Sequence, residues 1–228
     1  MGLPASNPRR RHARGFTLIE LLVAVSIMAL MTVMGWRALD GMVQAAGHTR
    51  THTDAVLTLE AGLAQWGADL DALIELPHTT AIDWDGRALR VTRRHSADPG
   101  EGVLVVAWSR GAREGADPWL RWQSAPVRSR ADWQNAWDNA AQWAQSPSDL
   151  ARQQEVAIAP LTQWQVYFFR GGAWSNPLSS AGSAAAPNAS LTAVPDGVRL
   201  VMVAPAPHPL AGRITRDWAR PTLAGGTP

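Results

Sequence analysis

The chain has no cysteine and no lysine among its 228 residues. Without cysteine there are neither disulfides nor thiolate metal sites, so the fold must rest on its own core. All 21 basic residues are therefore arginine, which assigns no function by itself. Aromatics other than tryptophan are scarce: one tyrosine and three phenylalanines stand beside twelve tryptophans. The chain carries no G-x-S-x-G, H-E-x-x-H, P-loop or G-x-G-x-x-G motif, and serines, histidines and acids are too scattered to compose a triad. No proline occurs from Trp36 to Leu76, and no lysine, arginine, histidine, aspartate or proline occurs from Phe16 to Gly35.

That last absence defines the organising stretch. Arg9, Arg10, Arg11 and Arg14 precede Gly15, and twenty residues from Phe16 to Gly35 follow with one charge, Glu20. A helix of that length spans about 30 Å, the thickness of a bilayer's hydrocarbon core. A carboxylate there costs about 2.5–3.5 kcal/mol even on the lenient insertion scale. No cation lies within helical reach of Glu20. The nearest source of one is an amino terminus freed by cutting after Gly15, which puts the Phe16 amine about one turn from Glu20, or from the Glu20 of a neighbouring copy. A secretory signal peptide fits less well, since its apolar region is shorter and ends in small residues.

Gly15-Phe16-Thr17-Leu18-Ile19-Glu20-Leu21-Leu22-Val23-Ala24 resembles the prepilin peptidase site of type IV pilins and type II secretion pseudopilins. The resemblance implies cleavage after Gly15 on the cytoplasmic side, N-methylation of Phe16 as the new terminus, and a role for Glu20 in docking into a growing fibre. It also implies a pilin-like α+β fold, with a long N-terminal helix packed on an antiparallel β domain. An ordinary signal anchor with one stray glutamate is the bland alternative.

Charge distribution argues against nucleic acid as partner. The isoelectric point is about 10.2, but removing residues 1–15 takes the arginines from 21 to 17 against 19 acids and the formal net charge from +2 to −2. The basic excess belongs to the leader. There it obeys the positive-inside rule, which predicts a cytoplasmic N-terminus; the resemblance implies that the membrane is the cell inner membrane and the C-terminal domain periplasmic. No arginine cluster in the remainder suits a phosphate backbone.

The predicted organisation is a cleaved leader over 1–15, a transmembrane helix over 16–35 and a second helical half over 36–76. A periplasmic β-rich domain follows over 77–220, with a tail at 221–228. Val56, Leu59, Leu63, Trp66, Leu70 and Leu73 form one helical stripe, suited to packing on the chain's own sheet; a coiled-coil seam is the alternative. Glycines 41, 47, 62 and 67 each weaken a helix by up to about 1 kcal/mol. Bending or fraying is expected near Ala45–Thr53, and Pro77 should end the helix.

Asp85-Gly86 between the alternating runs at 81–84 and 87–92 predicts a hairpin. Strands are predicted at Val103–Ser109, Pro118–Gln123, Val127–Arg130, Glu155–Ile158, Gln163–Arg170, Val198–Ala204 and Arg213–Trp218. A short amphipathic helix is expected at Ala131–Gln145, and a Gly/Ser/Ala/Pro-rich loop at Gly171–Ser190.

His48 and His52 sit at i and i+4, near Asp54, a spacing open to a metal but also that of a solvated helix face. Asp83-Trp84-Asp85-Gly86 resembles the start of a calcium loop but lacks the closing glutamate, so a turn explains it. No metal and no cofactor is expected. Trp84, Trp108, Trp119, Trp122 and Trp164 are assigned to the core. Trp133, Trp137 and Trp143 lie on the inserted helix, where exposure would mark a protein or carbohydrate surface.

Length and diffuse likenesses point further within the family. With 213 residues left after the leader, the chain resembles the J-type minor pseudopilins of type II secretion rather than the shorter major and I-type subunits. The likeness lies in Trp36–Gly41, Leu63–Leu73 with Asp69, Trp164–Phe169, Gly172-Ala173-Trp174, Pro195–Val203 and Gly212-Arg213-Ile214. It implies a non-enzymatic subunit near the tip of a periplasmic pseudopilus that supports export of folded proteins. Implied partners are the I-, K- and H-type minor subunits, the major pseudopilin and the prepilin peptidase. A minor pilin of a type IV pilus, acting in adhesion, motility or DNA uptake, shares the leader. A membrane-anchored enzyme or sugar-binding module would need a site that no motif provides.

Overall fold

The computed structural model describes residues 15–113, 115–179 and 194–221. Most of the basic leader, residues 180–190 of the expected loop and the tail from 222 lie outside the described residues. The chain forms two compact units, one up to Thr51 and one from His52 on. A single helix, α1 (Leu18–Asp71), contributes to both. Residues 45–53 are helical, contrary to the fraying expected there. Hydroxyls of Thr49 and Thr51 turn back onto the carbonyls of Ala45 and Gly47 at 3.0 and 3.1 Å, so the side chains do not compete for the ladder.

In the second unit two antiparallel sheets pack with the end of α1. The first has the order β1 (Ile82–Trp84), β2 (Ala88–Arg94), β3 (Val103–Arg110), β4 (Pro118–Gln123), β5 (Glu155–Pro160). In the second, β7 (Ala173–Ser175), β6 (Gln163–Arg170), β8 (Gly197–Ala204) and β9 (Gly212–Ala219) are neighbours in that order. The α+β, pilin-like expectation holds: a long N-terminal helix precedes antiparallel sheets. Asp85-Gly86 makes the expected hairpin turn. Gly86 takes φ +89°, and the Asp85 carboxylate accepts from the Arg87 and Ala88 amides at 2.9 and 2.7 Å.

Three elements differ from the sequence reading. The helix ends at Asp71, ahead of Pro77, because residues 72–74 instead pair along β2: Arg94 N–H donates to Ala72 O and Ile74 N–H to Thr92 O. Val127–Arg130 is no strand. It makes one isolated bridge, Val103 with Val127, and then Ser129 caps a helix. The expected loop opens with a strand, β7, because Ala173–Ser175 fold back on β6 through Gly171 and Gly172, both at positive φ.

The stripe on α1 packs on the chain's own sheets. Leu59, Trp66 and Leu70 are buried with Val91 and Trp108 of the first sheet and with Val198, Leu200 and Met202 of the second. Helix and sheet meet closely at Gly62, where a Cβ would lie 2.6 Å from Ile158 Cγ2 and 3.2 Å from Trp119 Cζ3.

One polar cluster interrupts this core. Asp69, fully buried on α1, sits against three adjacent strands. It accepts from Arg93 Nη1 of β2, from Trp108 Nε1 of β3 at 2.9 Å, and from Arg121 Nε and Nη2 of β4 at 2.8 and 2.9 Å. Gln65 of α1 adds a fifth donor at 2.9 Å. Two residues on, Asp71 accepts from Trp218 Nε1 of β9 at 2.8 Å.

The other face of the first sheet is covered by the expected insert, α2 (Arg130–Gln145), and a short α3 (Asp149–Arg152) follows it. Ser129 caps α2 by accepting from the Asp132 amide at 3.1 Å. Trp133, Trp137 and Trp143 are buried against Val105, Ala107, Leu120 and Trp122, a second core rather than an exposed aromatic surface. A buried tryptophan removes about 150–250 Å² from water, about 4–6 kcal/mol before entropy is charged. Three of them explain why α2 folds down.

Their polar atoms are tied as well. Trp133 Nε1 donates to Thr92 Oγ1 at 2.9 Å, and Trp143 Nε1 donates to Glu155 Oε2 at 2.6 Å. Arg113 grips the same carboxylate at 2.7 and 2.8 Å. Burial alone pushes the Glu155 carboxyl up. The hydrogen bonds from Arg113 and Trp143, with the charges of Arg113 and Arg152, outweigh it and hold the group below its ordinary value.

Removing the Asp69 carboxylate strands two arginines in a core. Asp69→Ala should lower stability by about 3–5 kcal/mol, read by urea denaturation followed by tryptophan fluorescence. A loss under about 1 kcal/mol would show that the cluster is not what holds the helix down. Gly62 and Gly67 separate helix propensity from packing, since a Cβ at Gly67 meets nothing within 4 Å. Gly67→Ala should stabilise by up to about 1 kcal/mol and Gly62→Ala destabilise by about 1–3 kcal/mol; equal signs in the same assay would refute the close approach.

Candidate functional site: the N-terminal segment

Gly15, Phe16 and Thr17 precede the helix, and Glu20 lies in its first turn. The Thr17 carbonyl accepts from the amides of Glu20 and Leu21 at 3.1 and 3.2 Å and so starts the ladder. Phe16 lies two residues ahead of the helix and Glu20 is its third residue, so the predicted site residues are neighbours in sequence at the start of α1, in the first unit.

Among the described residues the Glu20 carboxylate has no hydrogen-bond or ion-pair partner. The helix dipole favours an acid in the first turn by about 0.3–1 kcal/mol. That falls short of the roughly 2.5–3.5 kcal/mol that a charge costs in lipid, so the dipole alone does not account for a carboxylate here.

The rest of the segment is apolar all round. Leu18, Ile19, Leu21, Leu22, Val23, Val25, Ile27, Met28, Leu30, Met31, Val33 and Met34 are all exposed in the isolated chain. A monomer in water does not tolerate an apolar surface of that extent; lipid or neighbouring helices must cover it. The hydroxyls within the span are satisfied internally, Ser26 on Leu22 O at 2.8 Å and Thr32 on Met28 O at 2.9 Å, as hydrocarbon demands. Trp36, Arg37 and Asp40 close the apolar run, with an aromatic where membrane interfaces favour one. By length and composition this helix can cross a membrane.

The other singled-out residues form no site. His48 and His52 are both exposed on α1, and no group of three metal-ligating side chains occurs among the described residues. Asp83 pairs with Arg90 at 2.5 Å, so the Asp83–Gly86 segment is a hairpin with an ion pair.

Sequence reading missed two features. Asp69 entered only as part of a family likeness. Its signal is an acid one residue from Leu70 and three from Trp66 on an apolar stripe. A group of arginines at the turn end of the first sheet had no local signal, because its members are spread from Arg87 to Arg152.

Residues 10–36 match the prokaryotic N-terminal methylation motif. The chain thus carries a prepilin-type methylation signal on a long apolar helix ahead of an α+β fold. This supports a membrane-anchored pilin-like protein, pilin or pseudopilin, processed by a prepilin peptidase and assembled with other pilin-type subunits.

Proposed function

We propose that this chain is a minor pseudopilin of type II secretion, a J-type subunit with a structural rather than an enzymatic role. It is inserted with its N-terminus in the cytoplasm and its second unit in the periplasm. It is cut after Gly15, N-methylated on Phe16, and built in near the tip of the pseudopilus. Partners are the I-, K- and H-type minor subunits and the major pseudopilin, met first through the apolar helices. The observation that carries this reading is the Glu20 carboxylate, without a partner among the described residues and the one charge in the apolar segment Leu18–Gly35, within the matched methylation motif.

The physical logic is a deferred ion pair. In lipid Glu20 stays costly. Beside the Phe16 amine of an adjacent subunit it gains a counter-ion, and the attraction offsets desolvation only in the assembled state. The choice of type II secretion over a type IV pilus rests on length and the diffuse J-type likeness. Co-purification with I- and K-type subunits supports the first, and recovery in a surface pilus supports the second.

Mass spectrometry of the membrane-extracted chain should find Phe16 as a methylated first residue. A chain still beginning at Met1 in cells with active peptidase would defeat the proposal. Gly15→Trp should leave the chain unprocessed, at the larger size on a denaturing gel; migration with the mature form would contradict the cleavage site. Glu20→Leu should abolish incorporation into fibres and lower secretion, while the thermal unfolding of the second unit stays unchanged. Normal secretion by that variant, with partners still recovered on pull-down, would remove Glu20 from assembly.

A further inference from the structure

The turn ends of the first sheet carry a feature that the N-terminal segment does not explain. Strand pairing brings the β1–β2 turn, the β3–β4 hairpin and the β5–β6 turn to the same end of the sheet. The residues joining α2 to α3 come to the same place. They line an open cleft of about 820 Å³. Its charges are unbalanced. Arg87, Arg110, Arg113 and Arg152 line it against a single acid, Asp117. Among the described residues Glu155 is the other carboxylate tied to this group; Arg113 holds both its oxygens, and the charge of Arg152 also acts on it. Four guanidinium groups against two carboxylates leave a formal excess of two among the described residues; Glu114 lies outside them.

The arginines differ in how far they are committed. Arg113 is locked on Glu155. Arg110 donates to the Thr162 carbonyl and sits 3.7 Å from Asp117. The Arg87 and Arg152 guanidiniums make no hydrogen bond or ion pair among the described residues, and both side chains belong to exposed residues. Core cations elsewhere in the domain, Arg93 and Arg121, are fully engaged. Unspent arginine forks in a concave, polar site are the usual means of gripping carboxylates.

We propose that this cleft binds an acidic peptide segment of a partner protein, with Arg87 and Arg152 as its primary anion contacts. Its size exceeds that of an inorganic anion and suits several residues of extended chain. The lining suits a peptide better than an apolar metabolite: Gln145, Gln163 and Gln165 offer amides matched to a peptide backbone, and Trp164 is the one large apolar group. Two uncommitted cations are too few for a nucleic-acid backbone, which takes its affinity from many phosphate contacts. The inference rests on the geometry of the second unit alone and does not require the role proposed for the N-terminal segment.

The test is fluorescence anisotropy with the full chain in detergent and fluorescein-labelled hexaglutamate as probe. The native chain should bind it saturably, and more weakly as salt rises. Arg87→Gln combined with Arg152→Gln should weaken binding about tenfold, the loss for two exposed charge pairs. Neither guanidinium makes a hydrogen bond or ion pair among the described residues, and Arg152 reaches Glu155 only through its charge, so melting should change little. Arg216→Gln on β9, away from the cleft, should bind like the native chain. The proposal is overturned if the native chain shows no saturable binding, or if Arg216→Gln weakens binding as much as the double variant. It is equally overturned if inorganic phosphate or phosphatidylglycerol vesicles engage the two arginines as tightly as the peptide does.

Discussion

The second unit depends on one buried carboxylate. Asp69 takes donors from three consecutive strands and from its own helix. Its position is informative because the end of a helix is a poor place for an acid: the dipole there is negative, and α1 has no basic residue in its last turn. Asp69 and Asp71 both oppose the dipole. Apart from the Gln65 amide, the donors come from the sheets, Arg93, Trp108 and Arg121 of the first for Asp69 and Trp218 of the second for Asp71. The last turns of α1 are therefore stable only when docked. A buried ion cluster is weak evidence of net stability compared with an apolar replacement. What it secures is register, because the Trp108–Arg121 cross-strand pair and Arg93 must all be in place for the carboxylate to be satisfied.

The same sheet carries a core on each face, and this explains the tryptophan content. In β3, Val106 and Trp108 face α1 while Val105 and Ala107 face α2. In β4, Trp119 and Arg121 take the first side, and Leu120 and Trp122 the second. Trp108 lies 4.5 Å from Trp119, and Trp122 lies 6.2 Å from Trp143. With no disulfides available, large rigid aromatics and charge-assisted hydrogen bonds do the fixing.

Legibility in the sequence followed how local each signal is. The Asp85-Gly86 turn, the alternation in Pro118–Gln123, the apolar run of β3 and the helical spacing of α2 depend on near neighbours, and each was read correctly. The helix end was misread because Pro77 is a local stop signal, whereas the actual stop at Asp71 comes from pairing of residues 72–74 with β2, twenty residues away. Division into two sheets, burial of the insert's tryptophans and convergence of Arg87 with Arg152 all depend on topology, which periodicity does not encode. At the N-terminus the signal is continuous: the methylation motif over residues 10–36 and the apolar helix both lie in one stretch.

The two units thus solve the problem of a buried charge in opposite ways. Asp69 meets its counter-ions within the chain, so its unit is complete when it folds. Glu20 has none among the described residues, and the helix up to Gly35 offers apolar side chains around it. On the proposed reading this incompleteness is the device: a subunit whose helix is content in lipid, but whose one charge is content only beside another subunit, is biased toward assembly without needing an apolar patch on its soluble part. The bias requires Glu20 to remain unpaired before assembly. A cation at the position one turn later, Ala24, would satisfy it in place and remove the difference between the free and assembled states on which such a mechanism runs.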